Sequence, residues 1–147
     1  MVYGINFLTI DIVLFVIANL VNLLLVAVFL VRPRGLEKVE YVLGIVVVAM
    51  ALPVGAAVIL NVLGKREWWT FVLPLFLILF LKIELLFDYI LKLNFRDTAL
   101  RWPYIFVYYL GLLAMIGYSF SMGKPYGFVT LSTYFLNLLA TWYGHTR

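Results

Sequence analysis

Apolar residues fall into five long blocks, at residues 5–31, 39–63, 69–93, 103–122 and 125–143, separated by short polar interruptions. A helix needs about 20 apolar residues to cross the hydrocarbon of a bilayer, and each block meets or approaches that length. The pattern therefore predicts an all-α integral membrane protein, a compact bundle of five transmembrane helices in a single domain spanning 1–147. The interruptions carry helix-ending chemistry. Arg32, Pro33, Arg34 and Gly35 close the first block; Gly64 caps the second, followed by Lys65, Arg66 and Glu67. Pro74 lies near the first turn of the third block, and Pro103 and Pro125 open the fourth and fifth, where a missing amide costs little. Within the second block Pro53 predicts a kink, and Gly44, Ala51 and Gly55 form a small-residue face suited to close helix approach. The first block is too long, and its start too uncharged, for a secretory signal, so it reads as a retained span.

Composition agrees with the pattern. Of 147 residues, 66% are hydrophobic and 12% charged, against about 25% charged in a soluble domain. Trp68, Trp69, Trp102 and Trp142 all stand at block ends, where amphipathic rings favour the headgroup layer. The net charge of +4 changes the picture only once the basic residues are located. Arg32, Arg34, Lys38, Lys92, Arg96, Arg101 and Arg147 fall on one side of the predicted membrane; Lys65, Arg66 and Lys124 fall on the other. The positive-inside rule then puts the N-terminus outside and the C-terminus in the cytoplasm of a multi-pass protein of the cytoplasmic (inner) membrane. The basic balance is accounted for by topology and anionic lipid rather than nucleic acid, and Arg32, Arg34, Lys38, Arg96 and Arg101 read as a collar for lipid headgroups.

Polar residues inside the blocks are the candidate chemistry. Lys82, Glu84 and Asp88 lie within the third block, where a central charge costs roughly 2.5 to 3.5 kcal/mol on insertion scales. Glu84 and Asp88 share one helix face, whereas Lys82 lies on the opposite side and needs another partner. Asp11, an acid on a different helix, is the expected partner in a structural ion pair. Asn19 and Asn22 belong to a polar sector of the first block that includes Asp11. Tyr126, Thr130, Thr133, Asn137 and Thr141 form a single stripe on the fifth block, and Tyr104, Tyr108, Gly111, Met115 and Tyr118 one on the fourth. At a rise of about 1.5 Å per residue, Asn22, Glu84 and Asn137 each lie roughly 10 to 14 Å from the cytoplasmic end of their helix. A substrate or ion site of Glu84, Asp88, Asn19, Asn22 and Asn137 follows as an expectation.

The sequence contains no cysteine, and its one histidine is His145. No histidine pair, phosphate-binding glycine loop or supported nucleophile is present, so no catalytic residues, metal site or cofactor are expected. Three functions remain open at this point. The chain could transport or conduct a small cation, proton or polar solute, with Glu84 as the reversible binder; it could be an accessory or assembly subunit, with a homo-oligomer or a membrane complex as partner; or it could be a lipid-modifying enzyme using acids and Arg96 near the headgroups.

Overall fold

The computed structural model describes residues 6–91 and 98–146, apart from the side chains at 88, 89 and 144–146, and every regular element among them is helical. Helix α1 is Phe7–Val31, started by the Asn6 side chain, which accepts from the Leu8 amide at 2.9 Å. A 3-10 turn, Arg32–Arg34, follows and ends at Gly35, whose left-handed backbone (φ 70°) suits glycine. Helices α2 (Glu37–Ala49) and α3 (Ala51–Leu63) form one apolar run broken at Met50. Pro53 supplies the cause. It has no amide for the carbonyl of Ala49, and the chain tightens there, with the Met50 amide donating to Val47 at 3.1 Å. Helix α4 (Trp69–Glu84) runs into a π-helical turn at Leu85–Ile90; α5 is Arg101–Met122 and α6 is Lys124–Thr146.

Four of these runs, Phe7–Arg34, Glu37–Leu63, Trp69–Phe87 and Arg101–Met122, are long and apolar enough to cross a membrane. The fifth, α6, has the length but is less apolar, because its Tyr126, Thr130, Thr133, Asn137 and Thr141 stripe lowers its hydropathy. Its polar face is turned inward. α6 packs along α1 and α5; α4 packs on α5 and α3, and α1 also touches α2 and α3. Leu14, Val21, Leu77, Phe80, Leu81 and Tyr118 are fully enclosed between them.

A close backbone approach lies elsewhere than the small-residue face of the second block implied. A Cβ at Gly55 would meet nothing within 4 Å, and Gly44 instead lines a cavity. At Gly111 of α5 a Cβ would lie 3.1 Å from the Phe76 carbonyl oxygen and 3.3 Å from the Leu77 Cα of α4. That contact involves backbone atoms, which do not swing aside. Gly111→Ala should therefore destabilise the detergent-solubilised protein by about 1–3 kcal/mol, as overpacking does. Gly55→Ala should leave it unchanged or gain up to about 1 kcal/mol from helix propensity. Thermal unfolding of the two variants measures the difference, and equal responses would mean that α4 and α5 do not meet at Gly111.

Candidate functional site

At one end of the bundle the polar groups close on one another. Pro74, one turn into α4, leaves the Thr70 carbonyl without its helical donor, and Asn61 Nδ2 of α3 fills the place at 2.8 Å. Asn61 is fully buried, and its Oδ1 accepts from Arg66 at 2.9 Å. Arg66 in turn donates to both carboxylate oxygens of Asp11, at 2.7 and 3.1 Å, and lies 4.8 Å over the Phe7 ring. Tyr118 of α5 donates to the same carboxylate. The Arg66 and Asp11 side chains are each 14% exposed. The bond to Asp11 holds the Arg66 pKa above its ordinary value despite opposing desolvation.

Local backbone geometry delivers Arg66 to this position. After α3 the left-handed residue is Lys65 (φ 53°), with Arg66 and Lys65 amides donating back to Asn61 and Val62 at 3.2 and 3.1 Å. Gly64 is the C-cap of α3 as expected, with its amide donating to Leu60, and a Cβ there would also fall 2.7 Å from the Phe7 ring. The pairing of Asp11 with Lys82 is likewise corrected, because Asp11 is bound by Arg66. Asp11 lies four residues into α1 and Lys82 thirteen into α4, so at about 1.5 Å per residue they differ in level by about 13 Å. Lys82 is exposed on the outer surface of α4.

A second polar group joins α1 to α6. Asn19 exchanges hydrogen bonds with Thr130 and Thr133 at 3.1 and 2.8 Å; Asn22 donates to Thr133 at 2.9 Å, and Thr130 donates to Ser119 of α5 at 2.7 Å. Asn137 accepts from Tyr108 at 3.0 Å. Two complementary atoms, the acceptor Asn22 Oδ1 and the donor Asn137 Nδ2, are buried without a partner among the described residues. Such atoms cost about 1–3 kcal/mol each unless water reaches them.

The opposite end of the bundle opens into a cavity of about 750 Å³. Exposed Glu37, Tyr41, Arg101 and Ile105 form its mouth, and buried Leu25, Phe29, Val47 and Tyr108 its inner wall. Arg32 is held by Glu40 at 2.7 Å and lies over Phe29; Arg101 lies over Trp102. Glu84, half-buried in the last turn of α4, accepts a hydrogen bond from Tyr104. Tyr104 stacks on Tyr108, whose ring meets Phe80 edge-on at 5.1 Å. Glu84 and Asn137 thus connect through two tyrosines. Asn19 and Asn22 do not line the cavity. The Asp88 side chain and all of Arg96 lie outside the described residues. Of the basic collar, Arg32 and Arg101 line the cavity, while Arg34 and Lys38 are exposed and do not line it.

Sequence spacing did not identify Arg66, Asn61, Glu40 or the Glu84–Tyr104 contact. The available signal was level: Arg66 follows Asn61 by five residues at the end where α1 begins, and Tyr104 starts α5 where α4 ends. Among the described residues, no three His, Cys, Asp or Glu side chains converge as a metal site would require. Comparison of the chain with protein-family models, with curated proteins and with solved structures finds no match.

Removing one partner of a largely buried ion pair costs about 3 kcal/mol, because the other charge is left stranded. Asp11→Asn should therefore lower stability by about that much in the wild-type background and by under about 1 kcal/mol alongside Arg66→Met. Alongside Lys82→Met the full loss should remain. A thermal-stability double-mutant cycle reads all three, and coupling to Lys82 rather than Arg66 would refute the assignment.

Proposed function

We propose that the chain is a small membrane carrier that takes up a cation or polar solute through the cavity at the Arg32 and Arg101 end, with Glu84 as its ionisable group. The observation that carries this reading is the one-sidedness of the cavity. Its volume of about 750 Å³ lies within the roughly 300–1,000 Å³ of small-molecule sites. It contains an acid next to tyrosines, whereas the far end is closed by the Asp11, Arg66, Asn61 and Tyr118 cluster. A solute path accessible from one side and closed on the other is what an alternating carrier requires of each of its states. The distribution of basic residues supports a cytoplasmic opening. Asn19 and Asn22 act in this reading as the α1–α6 seam, and Asn137 supports Tyr108 from behind.

In reconstituted vesicles, wild type should carry a proton or monovalent-cation flux that Glu84→Gln reduces by about 10-fold or more, because the titratable charge is gone while shape is kept. Thermal stability of the variant in detergent should stay within about 1 kcal/mol of wild type. Absence of flux from wild type under any ion or proton gradient would refute the carrier reading.

One observation favours the accessory-subunit reading as well: Lys82 is exposed on the outer face of α4, thirteen residues from the start of that helix. Facing lipid, an ammonium there costs at most the roughly 2.5–3.5 kcal/mol of a span's centre on insertion scales, and helical side chains lean toward the helix N-terminus, here away from the nearer end. A neighbouring chain with a carboxylate at this level would offset that cost. Lys82→Met should then stabilise the isolated chain and abolish any complex seen by native mass spectrometry after mild extraction. An unchanged oligomeric state would remove this support.

A further inference from the structure

The cavity is much larger than a proton or bare ion needs, since a water molecule occupies only about 30 Å³ of liquid volume. Its walls are also unlike those of an ion pathway. Leu25, Val28 and Phe29 of α1 and Val47 of α2 give it an apolar side, and Tyr104, Tyr108 and Tyr109 of α5 an aromatic side. Its charges are unequal in disposition. Among the described residues, three acids, Glu37, Glu40 and Glu84, share it with two arginines. Arg32 is matched by Glu40 at 2.7 Å, and the Arg101 guanidinium lies 5.0 Å from the centre of the Trp102 ring at the exposed start of α5. Glu84 is the charge set among the tyrosines, held by the Tyr104 hydroxyl. A smaller cavity of about 240 Å³ adjoins across Tyr41, between α2 and Leu85 of the π-helical turn.

Resting on the carrier reading above, we infer that the ligand of this cavity is an amphipathic organic cation: an ammonium group seated against Glu84 beside the Tyr104 and Tyr108 rings, with an apolar body along the Leu25, Phe29 and Val47 wall. Carboxylate charge and ring quadrupoles both attract a cation, and a quaternary ammonium sheds its water more readily than a small metal ion does. An anion would meet the same rings with its charge facing their negative faces. An inorganic cation would leave the apolar wall unoccupied.

The test uses the full chain in nanodiscs of zwitterionic lipid, with binding measured by ligand-observed saturation-transfer NMR. The probes are benzyltrimethylammonium, tetramethylammonium, benzenesulfonate and sodium ion as competitor. Benzyltrimethylammonium should bind about 10-fold or more tightly than tetramethylammonium, which lacks the apolar body, and than benzenesulfonate, which carries the opposite charge. Sodium at about 100-fold excess should not displace it. Glu84→Gln should weaken binding about 10-fold or more, and Tyr104→Phe, which keeps the ring and removes the hydroxyl that holds Glu84, about 3-fold or more. Tyr104→Phe keeps the test decisive if Glu84→Gln does not fold. Benzenesulfonate binding as tightly, an affinity unaltered in both variants, displacement by sodium, or no binding of any probe would each overturn the inference. Cation binding that depends on Glu84 without any flux would uphold the ligand class while refuting the carrier.

Discussion

Asp11, one turn into α1, is held by Arg66 from the α3–α4 turn and by Tyr118 from α5, and through Arg66 it is joined to Asn61 of α3. These groups fix four segments at one level. Apolar helices slide and rotate against one another at small cost, since one branched side chain fills a groove much as another does. A carboxylate and a guanidinium away from water have few acceptable arrangements, and misplacing either strands a charge. The remaining contacts inherit the register set here: Asn19 and Asn22 of α1 reach Thr130 and Thr133 of α6, and Gly111 of α5 meets the Phe76 carbonyl of α4. The clamp occupies this end of the bundle, and the cavity of about 750 Å³ lies at the other.

The prolines show how a backbone defect becomes a design element. Pro53 breaks the second apolar run at Met50, and α2 carries Tyr41, Gly44 and Val47 along one side of the cavity. Pro74 frees the Thr70 carbonyl, and the acceptor so created anchors Asn61, on which Arg66 rests. Each defect produces a local opening or an extra bond. Neither outcome is a property of proline alone; both depend on which neighbour is in reach.

Much of the helical plan was legible along the chain. The five blocks correspond to the helical runs within a few residues at each end, because length, apolar content and terminal prolines act locally. The expected polar site was legible only in part. Glu84 does line a cavity, but Asn19 and Asn22 are engaged by threonines of α6, and Asn137 reaches the cavity only through Tyr108. Helical periodicity placed the α1 asparagines on one face and the α6 threonines on another. It could not bring the faces together, since the azimuth of one helix against its neighbour is set by the packing of the whole bundle.

Sequence by itself determined that this protein is a set of long apolar helices with a few embedded polar residues, the approximate extent of those helices among the described residues, and that Lys82, Glu84 and Asp11 must each be accommodated. Those properties depend on composition and on neighbours within a few positions. Tertiary structure alone decided that Asp11 meets Arg66 rather than Lys82, that Gly111 rather than Gly55 marks the close approach, and that Glu84 faces a cavity with Tyr104. Partner choice among buried charges depends on depth and azimuth summed over several helices, and no single segment of the chain carries that sum.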